Sequence, residues 1–203
     1  MNVILLASAQ PRVGKSTLTK KLLQNIPQSA PLSFALPIKE ICYNLHSDIV
    51  SRFGQAPTFT FDEYIQTKKD VAMEGIFTTS PRHQYCEGSE FISKLTSANI
   101  WGDLALYRLT EMSKNYINTA IIDDWRRMIE LNILKTNKDL NCVTVYLDKD
   151  GIEEYKGTEA TESFEGQIKP EDCDYTFKFK SDWSNEDEII NLLQEAVGVS
   201  DGQ

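Results

Sequence analysis

The stretch of sequence that decides the fold is residues 3–17, which read VILLASAQPRVGKST. It begins with the continuous apolar run of residues 3–6, typical of a strand that is buried in a parallel sheet. A polar loop occupies residues 8–14. Three leucines then recur at helical spacing, Leu18, Leu22 and Leu23. The stretch therefore predicts a strand, a short loop and an amphipathic helix in immediate succession.

The remainder of the chain alternates between strand-like and helix-like segments. Further strands are predicted at residues 32–35, 119–124, 143–147 and 175–179. Further helices are predicted at residues 37–52, twice within 81–115, and at 125–135 and 184–196. This alternation predicts an α/β fold with helices on both faces of a mostly parallel central sheet.

Two segments do not follow this alternation. Residues 53–79 show no clear period and are interpreted as an irregular insertion. Residues 148–170 are charged and poorly apolar, which favours a mobile flap over a part of the core. With these two exceptions, residues 1–203 are expected to form a single domain.

Composition and charge restrict the kinds of function. Of the 203 residues 41% are hydrophobic, enough for a sizeable core, and no run approaches the length of a membrane span. Because the first strand begins at Val3, there is no room for a signal peptide, and we expect a cytoplasmic protein with no membrane partner. The net charge of −9 argues against broad electrostatic binding of nucleic acid. The four cysteines show no zinc-binding spacing.

The loop after the first strand carries the strongest chemical signal. Residues 9–16 match the phosphate-loop pattern G-x-x-x-x-G-K-[ST], with Ala9 in place of the first glycine. Backbone N–H groups and the helix dipole converge on phosphates in such a loop. Lys15 is expected to reach the terminal phosphates of ATP, and the Ser16 hydroxyl is expected to hold Mg²⁺. The predicted nucleotide-binding residues are Arg12, Val13, Gly14, Lys15, Ser16 and Thr17, with Arg12 facing either a phosphate or solvent.

Three later segments extend the pattern: FALPIKE at residues 34–40, SPRHQYCEGSE at 80–90 and IIDDWR at 121–126. They are similar to the F-A-x-P-[IL]-K-[DE], P-R-x-x-[LQ]-x-x-G-T-[ED] and strand-ending D-V-R motifs of the phage-type deoxynucleoside monophosphate kinases. The resemblance implies a three-layer P-loop kinase fold, with residues 148–170 as a small lid. The irregular residues 53–79 are a candidate part of the acceptor site. It also implies action in the cytoplasm of a phage-infected host.

The resemblance also implies roles for single residues. Arg82 would contact the phosphate or base of the acceptor, and Glu90 would hold its sugar or base edge. Arg126 would approach the transferring phosphoryl group. Two aromatic residues next to the acceptor motif are candidates for stacking on the base, Tyr85 and Trp101.

The carboxylates at the end of the predicted strand 119–124 are candidates for catalysis, because sheets of this class place ligand-facing groups there. Asp124, with Ser16, is the predicted metal-binding pair. The sequence leaves open whether Asp123 or Asp124 is the catalytic carboxylate while the other caps the following helix.

The identity of the acceptor stays open between two chemistries. A hydroxyl acceptor needs a carboxylate as base, and Asp123 with Asp124 could supply it. The resemblance extends to phage kinases that act on such a hydroxyl, in 5-hydroxymethyl-deoxyuridine already placed in DNA. A phosphate acceptor on a free deoxynucleoside monophosphate is already anionic and needs no base. The net charge of −9 favours the free nucleotide, which we place first. A nucleotide-binding protein without catalysis is the third alternative, and homodimer formation stays open.

Overall fold

The computed structural model of the chain describes residues 1–8, 13–54, 59–67, 69–71, 79–150, 168–180, 182 and 184–199. Contacts between Cα atoms divide the chain into two compact units. Of the described residues, 1–34 and those from 101 onward belong to the first unit, and 35–100 belong to the second.

The first unit is built on a parallel sheet of five strands. The strands are β1 (Asn2–Ala7), β2 (Ser29–Leu32), β3 (Thr119–Ile122), β4 (Asn141–Lys149) and β5 (Tyr175–Phe179). Their order across the sheet is β2-β3-β1-β4-β5, so the N-terminal strand lies in the centre. The predicted α/β class with a parallel sheet is thereby confirmed.

The α-helices of the described residues lie between these strands in the sequence, except α6, which follows β5. They are α1 (Lys15–Asn25), α2 (Leu36–Arg52), α3 (Pro81–Leu95), α4 (Ile100–Lys114), α5 (Met128–Leu134) and α6 (Glu186–Ala196). None of the helices in the described part of the chain has the length and apolar character that crossing a membrane requires.

The core of the first unit lies on both sides of its sheet. On β1, Ile4 and Leu6 point to one side, where they join apolar residues of α1 and α6. Val3, Leu5 and Ala7 point to the other side, where they join residues of α4 and α5. Because side chains alternate along a strand and β1 is buried on both faces, its sequence is continuously apolar.

Two elements begin three residues away from their predicted positions. The second strand lies at Ser29–Leu32 rather than at residues 32–35, and it includes Pro31. Proline is tolerated there because β2 is an edge strand, whose outer N–H groups need no partner strand. Helix α5 begins at Met128 rather than at Trp125, because the Trp125 side chain is buried against the sheet.

The second unit contains α2 and α3, which contact each other, together with a π-helical turn at Glu63–Thr67. The Cys42 thiol on α2 donates to the Gln84 carbonyl on α3 over 3.7 Å. Tyr64 in the π-helical turn is fully buried, and its hydroxyl donates to Gln84 Oε1 over 2.9 Å. Thus part of the predicted insertion 53–79 has regular structure, while residues 55–58, 68 and 72–78 lie outside the described residues.

The structure describes only the two ends of the predicted flap 148–170. Strand β4 continues through Lys149, and Pro170–Asp172 form a 3₁₀ turn before β5. Residues 151–167, the main part of the predicted flap, lie outside the described residues.

Candidate active site

The winding of the chain around the sheet reverses between β1 and β3, although the two strands are parallel. These strands are neighbours in the sheet, yet β1 leads into α1 on one face and β3 leads into α5 on the opposite face. The two connections therefore separate at the carboxyl ends of the strands. In parallel α/β sheets such a reversal opens a crevice in which ligands bind.

The start of α1 lies at this edge of the sheet, and the residue before the helix is a glycine. Gly14 precedes the helix with φ +105°, a left-handed conformation that favours glycine. Among the described residues, no side chain caps this end, and no acidic residue occupies the first turn. The N–H groups of the first turn and the helix dipole therefore make the end of α1 attractive to an anion.

Val13 and Thr17, both predicted in the phosphate loop, differ in their surroundings. The Val13 side chain is buried in the core beside α1, which anchors the end of the loop, whereas Thr17 is exposed. Arg12 and residues 9–11, which complete the predicted loop, lie outside the described residues.

Lys15 and Ser16 at the start of α1 contact residues that follow two different strands. The Lys15 ammonium donates to the hydroxyl of Ser8, directly after β1. The Ser16 hydroxyl donates to Asp123 Oδ2 over 2.9 Å, although 107 residues separate the two in sequence. A cation and a hydroxyl–carboxylate pair thus stand together at the switch between β1 and β3.

Asp124 has different partners from Asp123. Its carboxylate accepts from the Ser33 hydroxyl over 2.5 Å and from the Phe34 N–H over 3.0 Å. It therefore ties the end of β3 to the segment that follows β2, and it does not cap α5. The structure pairs Ser16 with Asp123, whereas the metal-binding pair predicted from the sequence was Ser16 with Asp124.

The arginine segment, residues 126–127, follows the two aspartates and is held through its backbone. One carboxylate oxygen of Glu130, Oε2, accepts from the Arg126 N–H over 3.3 Å and from the Arg127 N–H over 3.2 Å. The Trp125 indole N–H donates to the Arg127 carbonyl over 2.9 Å. These contacts fix the arginine backbones beside the carboxylates at the end of β3.

Glu130 is buried, with 7% of its surface exposed. Burial raises its pKa to about 7, against the opposing effect of the hydrogen bond from the Arg126 N–H, and the charge of Asp124 raises the pKa further. Sequence analysis did not single out Glu130. Its position three residues after Arg127, where a helix-capping glutamate commonly stands, is the signal that could have found it.

Among the described residues, no group of three or more histidine, cysteine, aspartate or glutamate side chains is arranged to hold a metal ion. Mg²⁺, however, is usually bound by one or two protein oxygens together with the phosphates of its nucleotide. The adjacent hydroxyl of Ser16 and carboxylate of Asp123 are the oxygen ligands such a site needs. These two oxygens therefore fit a Mg²⁺ ion whose other ligands come from a phosphate group or water.

Two predicted acceptor-binding residues lie on α3 in the second unit. Arg82 makes a forked pair with Asp70, from Nε to Oδ1 and from Nη2 to Oδ2 over 3.3 Å, and this hydrogen bonding raises its pKa. The Arg82 N–H also donates to the Lys69 carbonyl over 2.8 Å. Glu90 forms an exposed ion pair with Lys94 at 2.6 Å.

The two aromatic candidates for base stacking are both buried. Tyr85 in the second unit is 7% exposed, and the Lys39 ammonium lies 5.7 Å from the centre of its ring. Trp101 belongs to the first unit and is 4% exposed. Packing with neighbouring residues thus covers most of the ring surface that stacking on a base would use.

The first unit therefore brings together, at one edge of its sheet, several residues that the sequence predicted separately: Gly14, Lys15, Ser16, Asp123, Asp124 and Arg126. Three further participants were not predicted: Ser8, Ser33 and Glu130. No family model matches the chain, and a search of curated proteins finds no similar sequence.

Proposed function

We propose that the chain is a P-loop kinase that uses Mg²⁺-ATP to phosphorylate a deoxynucleoside monophosphate. The observation that carries the proposal is the contact of 2.9 Å between the Ser16 hydroxyl and Asp123, next to Lys15 at the start of α1. A phosphate-binding helix end, a cation and a magnesium-binding oxygen pair are the three parts that binding a nucleoside triphosphate requires.

The donor nucleotide binds with its phosphates at the start of α1. Backbone N–H groups of the first turn and the Lys15 ammonium hold the phosphate oxygens. Ser16 and Asp123 hold Mg²⁺, which when bound neutralises charge on the transferring phosphoryl group. Arg126, whose backbone is fixed beside these residues, contributes a guanidinium group toward the same phosphoryl group.

The contacts of the two aspartates favour a phosphate acceptor over a hydroxyl acceptor. A hydroxyl nucleophile requires a carboxylate that can take its proton, whereas a phosphate oxygen is already anionic near neutral pH. Asp123 is bonded to Ser16, and Asp124 is bonded to Ser33 and to the Phe34 backbone. Both carboxylates are thus engaged in positioning or metal binding. A free nucleotide, whose phosphate already carries an anionic oxygen, therefore suits this site better than a hydroxyl acceptor.

The acceptor phosphate binds to Arg82 in this proposal. The fork that Arg82 makes with Asp70 has the geometry in which guanidinium groups hold planar or tetrahedral oxyanions. An acceptor phosphate would take the place of the Asp70 carboxylate on these donors. Arg82→Lys should therefore raise the KM for the acceptor while leaving the KM for ATP nearly unchanged.

The test is transfer of labelled γ-phosphate from Mg²⁺-ATP to a panel of deoxynucleoside monophosphates and, in parallel, to DNA that contains 5-hydroxymethyl-deoxyuridine. Lys15→Ala should abolish transfer, and Lys20→Ala is the matched control, because Lys20 is an exposed lysine on the same helix. Asp123→Asn should raise the Mg²⁺ concentration needed for half-maximal activity more than Asp124→Asn does.

Each other outcome points to a different function. Transfer to the modified DNA alone would replace the proposed acceptor with a base hydroxyl. Binding of Mg²⁺-ATP in calorimetry without transfer to any acceptor would indicate a nucleotide-binding protein. If Mg²⁺-ATP gives no binding signal, the kinase proposal is wrong.

A further inference from the structure

We propose that Glu130 is a positioning residue for phosphoryl transfer, which acts by fixing the backbone of Arg126 and Arg127 at the carboxyl edge of the sheet. This inference rests on the proposed function, because it concerns the groups that would meet the transferring phosphate. It goes beyond that function by assigning a role to a buried residue that would touch neither nucleotide.

The first step of the argument is the path of the chain between β3 and α5. The backbone leaves β3 after Ile122 and becomes helical only at Met128. Arg127, the last residue before the helix, is extended, with φ −130° and ψ 134°. Without contacts elsewhere, such a short irregular segment would sample several conformations, and the guanidinium groups on it would sample several positions.

The second step is that two buried side chains remove this freedom. Glu130 Oε2 accepts from both arginine N–H groups, and the Trp125 indole N–H donates to the Arg127 carbonyl. The segment is thus held from within the fold through its backbone atoms.

The third step compares Glu130 with an ordinary helix cap. A cap needs an acceptor oxygen, which an exposed serine, threonine or asparagine supplies at little cost. Here the acceptor is a carboxylate that is only 7% exposed, and burying a charged group is costly unless it is well paired. Two N–H bonds and the neighbouring Arg127 charge offset part of that cost. The arrangement therefore ties the start of α5 and both arginines to one rigid group.

The consequence for catalysis follows from the sensitivity of transfer to geometry. Displacing a catalytic group by about 1 Å can lower a rate by about a hundredfold. ATP binding, in contrast, depends on the start of α1, where Lys15 bonds to Ser8 and Ser16 bonds to Asp123. Loss of Glu130 should thus reduce kcat and leave the KM for ATP nearly unchanged.

The experiment compares Glu130→Ala and Glu130→Gln with the unmodified protein. Glutamine keeps an oxygen that accepts the two N–H bonds, so Glu130→Gln should retain kcat within about threefold, whereas Glu130→Ala should lose about ten- to a hundredfold. The KM for ATP should change by less than about threefold in both. Hydrogen exchange at the Arg126 and Arg127 amides, measured by NMR without nucleotide, should speed up by at least about tenfold in Glu130→Ala alone.

Glu186→Ala is the matched control. Glu186 is also a buried carboxylate at the start of a helix, 6% exposed, and it pairs with Lys21 away from the arginine segment. Glu186→Ala should lower the thermal midpoint, as Glu130→Ala should, but its kcat should equal that of the unmodified protein. Activities are measured at a temperature at which circular dichroism shows every variant folded.

The outcomes separate this inference from the proposed function. If the unmodified protein transfers phosphate and Glu130→Ala matches its kcat, the positioning role is wrong while the function stands. Unchanged amide exchange in Glu130→Ala would also overturn the role, because the hydrogen bonds would then not hold the segment. If Glu186→Ala loses as much kcat as Glu130→Ala does, the loss in Glu130→Ala comes from lower overall stability, and the positioning role is wrong. If the unmodified protein transfers phosphate to no acceptor, the proposed function fails and this role fails with it.

Discussion

The substitution Glu130→Gln should make the protein more stable above neutral pH. Burial raises the pKa of Glu130 from an ordinary value of 4.5 to about 7 in the folded protein. The folded state therefore holds this proton more tightly than the unfolded state does. The stabilisation that the protonated carboxyl contributes is complete below pH 4.5, and it is lost as the pH rises through about 7.

The size of the effect follows from the two pKa values. A difference between 4.5 and about 7, at about 1.4 kcal/mol per pKa unit, corresponds to roughly 3 kcal/mol. Glutamine has nearly the same shape and keeps an acceptor oxygen for the Arg126 and Arg127 N–H groups, but it carries no charge at any pH. We expect the two proteins to be similarly stable near pH 4.5 and Glu130→Gln to be more stable by roughly 3 kcal/mol at about pH 8.

Urea denaturation followed by circular dichroism at several pH values measures this difference directly. All other ionisable groups are common to both proteins, so their contributions cancel when the two free energies of unfolding are subtracted. Glu186→Gln is the control: it removes the charge of a carboxylate paired with Lys21, and it should lower the free energy of unfolding rather than raise it. A free-energy difference between Glu130→Gln and the unmodified protein that does not change with pH would refute the reasoning.

Three other substitutions test the packing and the loop geometry. Gly102→Ala should lower the free energy of unfolding by about 1–3 kcal/mol, because the new Cβ would lie 2.5 Å from Ile133 Cδ1 and 3.2 Å from Ile133 Cβ. Ile133→Val removes Cδ1, so the double variant should recover part of this loss, as measured by urea denaturation. Gly14→Ala should cost about 1–2 kcal/mol, because φ is +105° there, and calorimetry should show weaker Mg²⁺-ATP binding. Asp174→Ala removes the acceptor of the Thr144 N–H, at 2.8 Å, and of the Thr144 hydroxyl, at 2.7 Å. It should lower the free energy of unfolding by about 1–3 kcal/mol, seen as a lower thermal midpoint, and Asp174→Asn should lower the midpoint less.

The sequence predicted the fold best where a segment's structure depends on its own residues. The central strand β1 and helix α1 were found because a strand buried on both faces is continuously apolar and a surface helix carries an apolar stripe. The break between α3 and α4 was also expected, since the apolar period stops near Asn99. These signals are local, and a reader of the sequence alone has access to them.

The sequence predicted the fold less well where distant contacts decide a boundary. Strand β2 contains Pro31, which in isolation indicates a turn, and only its place at the edge of the sheet makes the proline acceptable. Helix α5 begins three residues later than expected because Trp125 is buried and Glu130 bonds the backbone before Met128. Neither the sheet order nor the burial of Trp125 can be read from spacing.

The division of work between Asp123 and Asp124 depends on the same kind of distant contact. The two residues are adjacent, and successive side chains of an extended chain point in opposite directions. Strand β3 lies between β1 and β2, so one aspartate can reach the element that follows β1 and the other can reach the segment that follows β2. Asp123 meets Ser16 at the start of α1, and Asp124 meets Ser33 beyond β2. The sequence placed both carboxylates at the edge of the sheet, but the strand order decides which of them stands beside the start of α1.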